Sequence, residues 1–153
     1  MIKKLLFISI LGCISMACDE NIVSPIPNAP VSLTLDLMGM DNSLNASLSY
    51  KEYITPRLGT DRLGFGGILV INGIAFDSNP INLYAYDLAC PNEVQRNIRI
   101  KPENTGLRAI CPQCGAVYKI ATGGAPESGS KFWLKRYNVV QDRWNNTRYN
   151  VTP

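Results

Sequence analysis

The chain has no histidine among its 153 residues. That absence excludes every serine or cysteine nucleophile that relies on an imidazole base. Charge is sparse as well. Charged residues make up 18% of the chain, and 15 basic against 12 acidic side chains leave a formal net charge of +3. So mild a balance implies no nucleic-acid partner, and the basic residues Lys119, Lys131, Lys135 and Arg136 read as a solvated strand face. No segment shows helical periodicity and no internal repeat is present. Gly64, Gly66 and Gly67 make a glycine-rich stretch, but no helix follows it to supply a dipole for phosphate.

What is present begins at the N-terminus. Lys3 and Lys4 precede an apolar run from Leu5 to Ala17, the pattern of a secretory signal too short to span a bilayer comfortably. Ala17 directly before Cys18 resembles a bacterial lipobox, which implies acylation of that cysteine. Cys13 fits the local pattern too but leaves a very short apolar core, and the sharp exit at Asp19-Glu20 favours Cys18. The expected organisation is a signal peptide over 1–17, a lipid-anchored, proline-rich tether over 18–30 and a domain over 31–153. The expected place is the bacterial cell envelope, on the periplasmic side or the cell surface, with the membrane as one partner. In a bacterial chain the sequons at Asn45, Asn145 and Asn150 read as chance.

Hydrophobic residues form 46% of the chain, enough for a packed core. Val31, Leu33, Leu35 and Leu37 alternate with Ser32, Thr34 and Asp36, the period of a half-buried strand. Residues 38–63 carry little readable pattern beyond a strand or helical turn near 48–53. The run Ile68-Leu69-Val70-Ile71 suits a buried strand, and Asn72-Gly73 signals a turn after it. Further strands are expected at 83–86, 97–101, 107–110, 116–120, 131–137 and 143–151, which makes the fold all-β, a small barrel or sandwich. Tyr84, Tyr86, Trp133 and Trp144 read as core or cross-strand aromatics.

Setting aside Cys13 and Cys18 leaves Cys90, Cys111 and Cys114 for the domain. Three thiols cannot all pair within one chain, so either one stays free or a metal holds all three. Each of two loops carries cysteine followed by proline: Cys90-Pro91-Asn92 and Cys111-Pro112-Gln113-Cys114-Gly115. With Thr122-Gly123 and Leu134-Lys135-Arg136-Tyr137 downstream, residues 66–139 resemble a Rieske [2Fe–2S] domain, whose loops read Cys-x-His and Cys-x-x-His-Gly. The resemblance implies a Rieske-like β fold with two cysteine-bearing loops. It also places Asn92 and Cys114 where the two histidine ligands would stand.

Four occupants remain open. An atypical [2Fe–2S] cluster could use Cys90, Cys111 and Cys114 with Asn92 or Glu93 as the fourth ligand. Zinc could use the same thiolates. In a Rieske arrangement Cys90 and Cys111 would lie near enough for a disulfide, leaving Cys114 over. A redox dithiol at Cys111 and Cys114 is the weakest fit, because a strand rather than a helix follows it. The missing histidines favour a degenerate, non-catalytic binding or structural module. The alternative is an electron-transfer or zinc module, serving at most a separate enzyme or another envelope protein.

Overall fold

The computed structural model describes residues 23–75 and 79–153. The expected signal peptide, Cys13 and Cys18 lie outside the described residues. Within them the fold is all-β, with strands β1 Val31–Asp36, β2 Tyr50–Tyr53, β3 Arg62–Leu63, β4 Ile68–Asn72, β5 Leu83–Asp87, β6 Lys101–Pro102, β7 Ala109–Ile110, β8 Val117–Lys119, β9 Ala125–Ser128, β10 Arg136–Gln141 and β11 Arg148–Thr152. Helical structure among the described residues is confined to two 3-10 turns, Asn42–Asn45 and Ile120–Thr122. None of these is long or apolar enough to cross a membrane.

Seven strands form one antiparallel sheet in the order β2-β4-β5-β10-β11-β1-β3, which curls into a nearly closed barrel. Its interior is built by alternation. Val31, Leu33 and Leu35 of β1 point inward and meet Ile68 and Val70 of β4, Ala85 of β5, Tyr137 of β10 and Val151 of β11. A second, four-stranded sheet in the order β6-β7-β8-β9 packs on the outside of β4 and β5. This explains the unbroken apolar run of β4: Ile68 and Val70 face the barrel, while Leu69 and Ile71 face the second sheet, so every residue of the strand is buried. The second core gathers Leu69, Ile71, Tyr86, Leu88, Ile100, Ala109, Tyr118 and Ile120 together with Cys90 and Cys111.

Several elements differ from expectation. The strand expected over 131–137 begins only at Arg136, and an additional strand, β9, pairs with β8 although its Pro126 and Glu127 give no strand signal. Residues 129–135 cross over as irregular chain, tied down where Leu134 N–H donates to Gly124 C=O (3.0 Å) and Asp87 N–H to Lys135 C=O (2.8 Å). Trp144 stands in the β10–β11 loop, 96% exposed, rather than in a core. Tyr86 is buried as expected, and its ring stacks on Tyr84.

The packed domain also starts earlier than residue 31. Ile26 is buried, and the Lys135 ammonium donates to the carbonyls of Ile26 (3.2 Å) and Pro27 (3.1 Å) and to Asn28 Oδ1 (2.6 Å). Five residues of the expected tether, 26–30, therefore lie against the domain, and Pro30 C=O accepts from Gly64 N–H at 3.0 Å.

Candidate metal centre

Both cysteine loops are tips of hairpins in which the cysteine makes the last backbone pairing. Cys90 N–H donates to Ile98 C=O (3.0 Å), and Cys111 N–H donates to Ala116 C=O (2.9 Å) between β7 and β8. In the second loop Gly115 N–H then returns to Cys111 C=O at 2.9 Å. That closure needs a left-handed residue, and Gly115 supplies it at φ 72°. The proline after each cysteine fixes one φ and stiffens the tip.

The first loop is braced from below by a buried carboxylate, that of Asp87 at the end of β5. Its Oδ1 accepts from Gly66 N–H (2.9 Å) and Ala89 N–H (2.8 Å); its Oδ2 accepts from Phe65 N–H (2.7 Å) and the Tyr137 hydroxyl (2.7 Å). These four bonds tie the residue before Cys90 to the Gly64–Gly67 turn. A Cβ on Gly66 would stand 2.6 Å from Ala89 N, so the close approach of the two segments depends on glycine there. Nothing in the sequence marks this role for Asp87, because three of its four partners are backbone or hydroxyl groups more than 20 residues away.

The two tips bring Cys90, Cys111 and Cys114 together, with all three sulfurs within 4.8 Å of one another. Cys90 and Cys111 are buried and Cys114 is exposed, and all three are free thiols. Cys90 Sγ lies 3.7 Å from Cys114 Sγ and 3.8 Å from the Tyr118 hydroxyl. Cys114, left over only if Cys90 and Cys111 paired as a disulfide, stands within the group.

Asn92 takes a different part from the one expected. Its Nδ2 donates to Gly129 C=O (2.7 Å) and to Cys114 Sγ (3.5 Å), while its Oδ1 accepts from the Ser130 hydroxyl (2.7 Å). A carbonyl can only accept, so the Gly129 contact fixes which way the amide faces. The amide oxygen is turned away from the sulfurs. Asn92 therefore presents its amide N–H to the Cys114 sulfur, and the crossing chain at Gly129 and Ser130 holds it there. The carboxylate of Glu93 also lies outside the sulfur group; its side chain is half-buried, and its N–H donates to Cys90 C=O at 3.2 Å.

The electrostatics of Cys90 and Cys114 diverge. Burial pushes the Cys90 thiol from its ordinary 9.0 up to about 12; backbone N–H groups of Asn92 and Glu93 oppose the rise and the Cys111 thiol adds to it. For Cys114 burial also raises the pKa, but the Ala116 N–H, the Asn92 amide and the neighbouring thiols outweigh it and hold the group below its ordinary value. Without a cation, then, Cys114 ionises before Cys90.

This predicts a pH dependence for the metal-free protein. The raised Cys90 pKa contributes stability that is complete below 9.0 and is lost as pH climbs toward about 12. The lowered Cys114 pKa contributes stability that is complete above 9.0, so it does not offset that loss. Buried Tyr118 and Tyr137, also raised, act in the same direction as Cys90 at still higher pH. Thermal midpoints of metal-free protein between about pH 8 and 11 should fall steadily above pH 9; a flat profile would contradict the burial of a protonated Cys90.

No protein-family model matches the chain, and no curated protein matches it. The all-β fold and the three-cysteine group are what the structure itself establishes.

Proposed function

We propose that this protein is a non-catalytic metal-binding module on a Rieske-like β frame, and that its three thiolates hold one tetrahedral ion, Zn²⁺ in the first instance. One observation carries the reading: three sulfurs mutually within 4.8 Å. With Zn–S bonds of ~2.3 Å, two sulfurs of a regular tetrahedron stand ~3.8 Å apart, and Cys90 and Cys114 are separated by 3.7 Å. In a [2Fe–2S] cluster the four protein ligands divide two to each iron, on opposite sides of the bridging sulfides. A third sulfur inside the same tight triangle has no place in that division. The triangle therefore favours a single ion over the cluster that the loop pattern suggests.

The chemistry of the surroundings agrees. Three thiolates this close repel one another unless a cation lies between them, and N–H groups of Asn92, Glu93 and Ala116 aimed at Cys90 and Cys114 offset part of the negative charge. Zinc fits such a soft, tetrahedral donor set and carries no redox chemistry, in keeping with a chain that has no histidine to serve as acid or base. The module belongs on this reading to the cell envelope, anchored through lipid on Cys18, with another envelope protein as its partner. The basic flank, the apolar run and the exit at Asp19-Glu20 support that placement.

Protein purified anaerobically without chelators should contain about one zinc per chain, no acid-labile sulfide and no visible absorption. About two irons per chain with labile sulfide would replace this reading with electron transfer. For the anchor, Cys18→Ala should move the protein from the membrane to the soluble fraction; unchanged membrane association would remove the lipid from the account.

A further inference from the structure

The two cysteine loops are one turn used twice. In each, a cysteine is followed by proline, and the N–H four residues on returns to the cysteine carbonyl at 2.9 Å: Val94 to Cys90, and Gly115 to Cys111. That closing residue is left-handed in both, φ 52° at Val94 and 72° at Gly115. Glycine takes this conformation freely, whereas a β-branched residue takes it reluctantly. The first turn thus keeps the shape of the second against the preference of its own closing residue. Position by position, Cys90 matches Cys111, Pro91 matches Pro112, Asn92 matches Gln113, and Glu93 matches Cys114.

We propose that Glu93 is the fourth ligand, completing a three-thiolate, one-carboxylate site; this rests on the single-ion reading above. Cys114 shows that the fourth position of this turn can deliver a donor atom to the point where the sulfurs meet. Glu93 offers a carboxylate from the equivalent position, and no ion pair engages it among the described residues. Its oxygens stand outside the sulfur group in this structure, and metal binding would have to draw the carboxylate inward by rotation about its side-chain bonds. Asn92 is excluded as the competitor because its oxygen is held by Ser130 and its nitrogen by Gly129. A carboxylate oxygen bonds zinc at about 2.0–2.2 Å, so the site needs no fourth sulfur to close.

Cobalt(II) loading of the full chain tests this, because the intensity of thiolate-to-cobalt charge transfer counts the sulfurs on the ion. Wild-type protein should show three thiolates. Glu93→Cys should raise the intensity by about one third and tighten binding, as a fourth thiolate joins. Glu93→Gln should leave the sulfur count at three and weaken cobalt binding by at least ~10-fold. Unchanged intensity in the first variant together with unchanged affinity in the second would overturn the assignment while leaving the three-sulfur site intact. Wild-type protein with no thiolate-to-cobalt band would overturn the single-ion reading itself, and the Glu93 assignment with it. Circular dichroism of both variants separates a ligand effect from a folding failure, and Glu93→Gln preserves the shape of the side chain.

Discussion

Cys111→Ser is expected to abolish the stabilisation that zinc confers while barely changing the metal-free fold. Zinc present at about a thousand times its dissociation constant stabilises the native state by about 4 kcal/mol. For a domain of this size that is a rise in thermal midpoint of about 15 °C. Serine offers no thiolate, so the variant should show almost none of this rise. Its cost in chelator is the burial of a hydroxyl in place of a thiol, about 1–2 kcal/mol. The metal-free protein should still fold, because the barrel interior of Leu33, Leu35, Ile68, Val70 and Val151 contains no cysteine. The discriminating quantity is the difference of differences: wild type against variant, with zinc and with chelator. If zinc leaves the wild-type midpoint where chelator puts it, the sulfurs are not a metal site.

Asp87→Asn should cost both stability and metal affinity. The native carboxylate is fully buried and accepts four bonds, two on each oxygen. All four partners are donors. An asparagine keeps one oxygen; with its NH₂ on the Oδ2 side the Tyr137 hydroxyl can turn to accept, but the Phe65 N–H is left facing an N–H, and on the Oδ1 side two backbone N–H groups are. At roughly 1–3 kcal/mol for each buried group left unpaired, the expected loss is about 3–5 kcal/mol. The same change loosens Ala89, the neighbour of Cys90, so zinc affinity should fall along with stability. Urea unfolding measures the first effect and competition with a chromophoric chelator the second. A loss under about 1 kcal/mol would mean that the four bonds do not brace the loop.

Much of the barrel was legible in the sequence because its signals are local. The alternation of β1 and the unbroken apolar run of β4 are written in consecutive residues, and the burial pattern follows them. The three cysteines were legible as a group because Cys90 and Cys111 each follow an apolar strand and precede a proline, and Cys114 stands three residues after Cys111. What was not legible depends on partners far along the chain. Within the unreadable stretch of 38–63 lies Asp41, fully buried, which accepts from Lys51 Nζ (2.8 Å), the Tyr53 hydroxyl (2.8 Å), Arg57 Nη1 (2.9 Å) and Asp36 N–H (2.9 Å). These donors follow no periodic spacing, so no pattern search would find them. The strand expected over 131–137 is irregular chain as far as Lys135, where a distant partner intervenes: Ser130 donates to Asn92 Oδ1 and accepts from Phe132 N–H. The hydrogen bonds of Asn92 were hidden for the same reason, since its partners at Gly129 and Ser130 lie 37 and 38 residues away.

X-ray absorption at the metal edge of the purified, metal-loaded protein tests the central claim most directly. The account predicts one ion with about three sulfurs near ~2.3 Å, one lighter scatterer near ~2.0–2.2 Å and no metal–metal vector. A short iron–iron vector, or a shell with fewer than three sulfurs, would contradict it.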